Sequence, residues 1–226
     1  LYEKFFKRAF PLTVEKLGTV YTPVECVDFI LHSVDEGLKS EFGAALTQEN
    51  VHVLDPFTGT GTFIVRLLQS GLISKADLAR KYASELHANE ILLLAYYIAA
   101  ANIEVTYRDL IRSDAPPASG EEGDPAQAGY TPFDGIVLAD TFQMTEDGDM
   151  LDQSVFVANN DRAAAQLGLK SIQVVIGNPP YIRYQDFRGA ARAGARRAAL
   201  AQGVGLTALA SSWAAFVVHA ASFLAV

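Results

Sequence analysis

Eleven consecutive residues, Val53-Leu54-Asp55-Pro56-Phe57-Thr58-Gly59-Thr60-Gly61-Thr62-Phe63, constrain the fold of this chain more than any others. The apolar run Val51 to Leu54 is stopped by Asp55-Pro56, which suits a parallel strand ending in a tight loop. A helical pattern resumes from Phe63 to Leu68. Glycines at 59 and 61 allow a tight turn and close backbone approach to a ligand, and the following helix presents its N-terminal dipole. An ordinary strand-to-helix turn needs only one glycine. A phosphate-binding P-loop needs Gly-Lys-Ser/Thr, yet no lysine lies between Lys39 and Lys75. The loop therefore points to a nucleoside cofactor.

Further elements repeat the alternation. After Tyr21-Thr22-Pro23, the positions Val24, Val27, Ile30, Leu31, Val34 and Leu38 trace a helix, with Thr22 as the expected N-cap and Pro23 at the first helical position. Lys81 to Ser84 reads as the next strand, ending at Glu85, and Asn89 to Ala101 as an apolar helix. Phe133 to Ala139 and Gln173 to Gly177 read as two more strands. Strands alternating with helices predict an α/β fold: an open, doubly wound, mostly parallel sheet. Residues 1 to 16, with Lys4, Lys7 and Arg8 among Phe5, Phe6 and Phe10, read as a helical lead-in or linker, and residues 17 to 226 as one domain. Between about 112 and 132 the sequence turns to Pro, Gly, Ala and acidic residues, the composition of a mobile surface insertion.

Half of the residues are apolar, so a disordered or fibrous chain is excluded, and the single cysteine, Cys26, rules out an internal disulfide and a cysteine-rich zinc cage. A cytoplasmic setting is expected. The chain starts at Leu1 and stops within an apolar run at Phe223 to Val226, so it is expected to be a piece of a longer protein. Residues Leu206 to Val226 are long enough to span a bilayer, but Ala, Ser and the absence of flanking charge asymmetry favour a buried helix. The net charge of −8 argues against nucleic acid only as a sum. No Lys or Arg falls between Ser113 and Asp161, whereas Arg183, Arg188, Arg192, Arg196 and Arg197 cluster. They suit either a DNA backbone or an exposed Ala/Arg helix.

The basic cluster follows a second chemical signal. Val174-Val175-Ile176-Gly177 runs into Asn178-Pro179-Pro180-Tyr181. Two prolines stiffen the backbone and remove donors, leaving carbonyls to accept hydrogen bonds. The Asn178 amide oxygen and the Pro179 carbonyl suit the two hydrogens of an exocyclic amine, with Tyr181 stacking on its ring. A proline-rich turn with Tyr181 as packing is the plainer alternative. An acidic residue is also expected about 20 residues beyond the glycines to accept ribose hydroxyls. Glu85, 24 residues after Gly61, is the candidate, with Glu90 nearby.

Together, Tyr21-Thr22-Pro23, Asp55 to Gly61 and Asn178-Pro179-Pro180-Tyr181 resemble the motif set of S-adenosylmethionine-dependent adenine-N6 DNA methyltransferases, in the order of their gamma group, over residues 17 to 220. The surrounding sequence resembles the methyltransferase module of large single-chain restriction-modification enzymes. The resemblance implies a Rossmann-like class I methyltransferase fold, truncated here at the C-terminus, in which Tyr21, Thr22 and Pro23 lie near the methionine end of S-adenosylmethionine. Asp55, Pro56, Phe57, Thr58, Gly59, Thr60 and Gly61 would wrap the cofactor, and Glu85 would hold its ribose. Asp140 and Phe142 would take its adenine, unless the insertion displaces that role onto Asp134.

The implied reaction methylates N6 of an adenine flipped out of double-stranded DNA, with Asn178, Pro179, Pro180 and Tyr181 as the catalytic residues and no metal or membrane involved. A separate domain, outside this chain, would read the DNA sequence. Methylation of rRNA adenine or of protein glutamine uses a similar tetrapeptide, and a non-catalytic cofactor-binding assembly module would keep the fold without turnover.

Overall fold

The computed structural model describes residues 22–112, 130–141, 157–169 and 172–180. The lead-in segment, the acidic insertion, the arginine cluster and the C-terminal apolar run lie outside the described residues.

Helix α1 (Val24–Gly37) is followed by a π-helical turn and a loop that lead into β1 (His52–Asp55). The glycine loop then connects β1 to α2 (Thr62–Gln69), and the short α3 (Lys75–Arg80) passes through a π-helical turn, Lys81–Glu85, into β2 (Leu86–Glu90). The long α4 (Leu93–Arg112) precedes β3 (Ile136–Leu138), and α5 (Val157–Gly168) precedes β4 (Ile172–Val175). All four strands are parallel, in the order β3-β2-β1-β4. From β1 the chain winds outward to β3, then returns to β1's other side. That reversal puts the topological switch point between β1 and β4, where open α/β sheets bind ligands beyond the strands' carboxyl ends.

Strand alternation sorts the core onto two faces. Val53 joins Val27 and Leu31 of α1, Phe63, Ile64 and Leu67 of α2, and Ala99 and Ile103 of α4 in the principal cluster. Leu54 points the other way, packing with Ile172, Leu169 and Val175. On β3, Asn159 of α5 acts as a surrogate strand neighbour: its Oδ1 accepts from Leu138 N (2.7 Å) and its Nδ2 donates to Leu138 O (3.0 Å). The doubly wound α/β expectation holds. Helices α3 and α5 escape the sequence reading, α5 because Asn159, Asn160 and Gln166 occupy its buried positions.

The second strand is displaced from its expected place. Lys81 to Ser84 form a helical turn, and the strand begins only at Leu86. The cause is a buried ionic clasp. Lys81, fully buried, donates to Gln48 O and Val51 O (each 2.7 Å) and pairs with Glu85 at 2.8 Å. Glu85 also accepts from Asn50 N at 2.8 Å and pairs with Arg80. In a strand Lys81 and Glu85 would share a face but lie about 13 Å apart, whereas a helical turn brings them within pairing distance. The strand that follows, Leu-His-Ala-Asn-Glu, is buried throughout, and pairing with β1 and β3 overrides its weak intrinsic propensity. Asn89 and Glu90, expected at the start of a helix, instead close a strand, and α4 runs from Leu93 to Arg112.

Gly61 joins the loop to the helical layer. Its φ is +88°, and a Cβ placed there would lie 3.3 Å from Ala99 Cα, Ala99 O and Ile103 Cγ1. The close approach that the sequence assigned to a ligand is, at Gly61, an approach to α4. Gly61→Ala is expected to destabilise the protein by about 1–3 kcal/mol, since an L side chain in the left-handed region is strained and α4 must also give way. Gly37→Ala, at φ −62° with nothing within 4 Å, should be neutral or slightly stabilising. Chemical denaturation midpoints check the contrast.

Candidate functional site

The carboxyl ends of the strands share one edge, and Asp55 is its centre. As the last residue of β1, its side chain is fully buried. Oδ1 accepts from Phe57 N (3.2 Å), and Oδ2 accepts from Thr58 Oγ1 (3.0 Å). Gly177, past the end of β4, lies against the same carboxylate: a Cβ there would sit 2.7 Å from Asp55 Oδ1. Only glycine lets the two strand exits converge so closely.

The glycine loop is held from below and from the side. Thr58 N donates to Asn89 O (2.9 Å), Gly61 N to Thr58 O (2.8 Å), and Asn102 Nδ2 of α4 to Thr60 O (2.9 Å). Thr141, beyond β3, donates through Oγ1 to Pro56 O at 2.6 Å. Gly59 adopts φ +57°, and a Cβ there would meet nothing within 4 Å. Its missing side chain faces open space, unlike that of Gly61.

Glu90 ends β2 beside this loop. Its Oε2 accepts from Gly59 N and its Oε1 from Leu92 N, both at 2.8 Å. One acidic side chain thus braces both the glycine loop and the start of α4. Glu85 cannot share this position, because it precedes β2 and so lies at the opposite end of the strand, consumed by the clasp to Lys81, Arg80 and Asn50. Burial alone would raise the Glu85 pKa, but Lys81, the Asn50 N–H and Arg80 outweigh it and hold the carboxyl below its ordinary value. Glu90, rather than Glu85, is therefore the acidic residue of β2 that lies at the carboxyl edge, beside the glycine loop. The signal was present in the sequence, since Asn89-Glu90 are the polar residues that terminate a short run before a long apolar stretch. The sequence reading ended the strand at Glu85, five residues before its observed end at Glu90.

The remaining expected residues fall as follows. Asp140 lies two residues past β3, on the carboxyl edge, whereas Asp134 precedes β3 and is paired with Arg162 at the opposite edge. Of the two, only Asp140 is at the carboxyl edge. Thr22 and Pro23 precede α1, and the expected cap is different: Pro23 itself occupies the N-cap position, without a side-chain cap bond. The Thr22 hydroxyl instead accepts from Asn178 Nδ2 at 2.9 Å, joining the first motif to the last. Pro179 is buried and Pro180 half-buried behind Asn178. Tyr21, Phe142, Tyr181 and the five arginines lie outside the described residues. Asn89, Asn102 and Thr141, none of them singled out by the sequence, position the loop.

No protein-family profile matches the sequence, and no curated protein matches it. Solved structures do. Over 99% of its length the chain superposes on a nuclease-deletion mutant of the Type ISP restriction-modification enzyme LlaGI in complex with a DNA substrate mimic, at 40% identity and a TM-score of 0.76. This chain is similar to a segment of restriction-modification enzymes. The ATP-dependent Type ISP enzyme LlaBIII bound to DNA gives 42% identity and a TM-score of 0.75, and the DrdV–DNA complex 34% and 0.79, each over 99% of the chain. The chain spans only 18%, 15% and 21% of those three chains.

The two carboxyls of the edge are proton-bearing near neutrality. Burial pushes Asp55 up to about 7, against the hydrogen bonds from Phe57 and Thr58 and with repulsion from Glu90 adding to the rise. Burial likewise pushes Glu90 to about 7, against the N–H groups of Leu92, Gly59 and Ile91. In the unfolded chain both ionise near their ordinary values of 3.8 and 4.5. Their contribution to stability is therefore fully present below those values and is lost as pH rises through about 7. Asp55→Asn removes one such group while keeping an oxygen to accept from Phe57 N and placing an amide NH2 to donate to Thr58 Oγ1. Relative to the parent, its melting temperature should rise progressively between about pH 4 and pH 7. A pH-independent difference in thermal scans would contradict a proton-bearing Asp55.

Proposed function

We propose that this chain is a methyltransferase module that uses S-adenosylmethionine to methylate the exocyclic N6 of an adenine flipped out of DNA. The observation that carries the reading is the convergence, at one switch point, of the glycine loop, Glu90 and Asn178-Pro179-Pro180, with Asn178 bonded to Thr22. Similarity to enzymes whose structures hold DNA favours DNA over rRNA or protein as the substrate.

The residues fit the cofactor. Glu90 accepts from the backbone N–H groups of Gly59, Leu92 and Ile91, and a carboxylate that ionises has about four acceptor directions, so one remains for a ribose hydroxyl. Gly59 leaves open space for a ligand beside the loop, and Asp140 lies at the neighbouring strand end for the cofactor's adenine. When bound, the cofactor supplies an electrophilic methyl on a sulfonium, whose departure as a neutral thioether needs no acid.

The chain's work is then positioning and charge placement. The Asn178 amide oxygen and the Pro179 carbonyl accept the two N6 hydrogens, drawing the nitrogen lone pair out of ring conjugation and toward the methyl. Pro179 and Pro180 keep that backbone rigid and supply no competing donor. Tyr181 stacks on the flipped base, and Arg183, Arg188, Arg192, Arg196 and Arg197 hold the DNA backbone beside it.

Two experiments on the full-length parent test this reading. By calorimetric titration, Glu90→Ala should weaken S-adenosylmethionine binding by about 1–3 kcal/mol, whereas folded Glu85→Ala should bind it as the parent does. The reverse order would return the ribose to Glu85. In transfer of tritiated methyl to adenine-containing DNA, Asn178→Ala should keep cofactor affinity and lose most of its activity. Full activity in that variant, or a parent that binds cofactor yet never transfers methyl, would favour an assembly module.

A further inference from the structure

Thr22 lies 156 residues from Asn178 in sequence, yet their side chains meet at 2.9 Å, with Nδ2 donating to Oγ1. Both are half-buried, and both precede a proline. Proline confines the residue before it to extended backbone, so each partner has little backbone freedom to lose on forming the bond. Thr22 is also β-branched and stiff at χ1. It is anchored further by α1, whose Val27 and Leu31 are fully buried against α2 and the sheet. On the other side, Asn178 follows Gly177, which is pressed against the buried Asp55. A primary amide is nearly symmetric in shape, and rotation by 180° exchanges its oxygen and nitrogen. A hydroxyl can pair with either end, and in the arrangement seen Thr22 Oγ1 accepts from Nδ2, which turns Oδ1 away from residue 22.

We propose that Thr22 is a positioning residue: by holding Asn178 Nδ2, it sets which end of the amide faces the amine to be methylated. The inference rests on the functional reading above and gives Thr22 a part distinct from cofactor contact. The expected consequence is a geometric one, because an amide turned the wrong way offers hydrogens to an amine that needs acceptors.

The test uses the full-length parent with Thr22→Val, which keeps the shape and removes the hydroxyl, and Thr22→Ser, which restores it. Thr22→Val should lower kcat roughly 10- to 100-fold with KM for S-adenosylmethionine and DNA little changed, and Thr22→Ser should recover most of the loss. Crystal structures supply a readout independent of activity: the Asn178 amide should leave its place at residue 22 in the valine variant and keep it in the serine variant. A loss confined to KM for S-adenosylmethionine, a serine variant no better than valine, or an unmoved amide would overturn the proposal. If Asn178→Ala is inactive while Thr22→Val is unimpaired, the proposal fails and the functional reading stands. If Asn178→Ala is fully active, the reading fails, and the amide's position in the two variant structures still decides whether Thr22 holds it.

Discussion

The carboxylate of Asp55 sits where four demands meet. It ends β1, receives the first turn of the glycine loop through Phe57 and Thr58, sits against Gly177 at the exit of β4, and feels the charge of Glu90 at the exit of β2. Burying such a group is costly unless it is hydrogen-bonded or neutral, and here it is both bonded and held near its neutral form. The loop geometry follows from satisfying it. A larger residue at 177 would press on the Asp55 carboxylate, so either that side chain or the exit of β4 would have to shift.

Glu90 extends the same logic to the neighbouring strand. Its two oxygens tie the glycine loop and the start of α4 to β2, so one side chain sets the spacing between a loop and a helix. Asn102 and Gly61 complete the arrangement from the α4 side, where close helix packing requires the absence of a Cβ. The glycine loop is thus held between strands and a helix by hydrogen bonds to its main chain. The opposite edge of the sheet has a different character: the Lys81, Arg80 and Glu85 clasp fastens the loop before β1 to the turn before β2. Acidic residues only five positions apart, Glu85 and Glu90, end up at opposite ends of one strand, one consumed by structure and the other set beside the loop.

The amino acid order alone determined the parts whose signals are local. The strand, glycine loop and helix around Asp55 to Gly61 announce themselves because apolar runs and turn residues obey short-range rules. The rigidity of Asn178-Pro179-Pro180 is likewise written in the residues themselves. An alternating sequence of strands and helices sufficed for an α/β sheet, because parallel strands need crossover helices.

Tertiary structure decided the rest. The register of β2 depends on where Lys81 finds its carbonyl partners, thirty or more residues away, and no local pattern records that. That Glu90 and Asp140 lie at the carboxyl edge, and Glu85 and Asp134 at the opposite one, follows from which end of a strand each occupies, a question of register. The partnership of Thr22 with Asn178 required the sheet to bring the first motif beside the last. Gly61, expected from the sequence to approach a ligand, lies against Ala99 and Ile103 of α4, since a glycine in the sequence shows only that space is needed, and the fold shows what fills it.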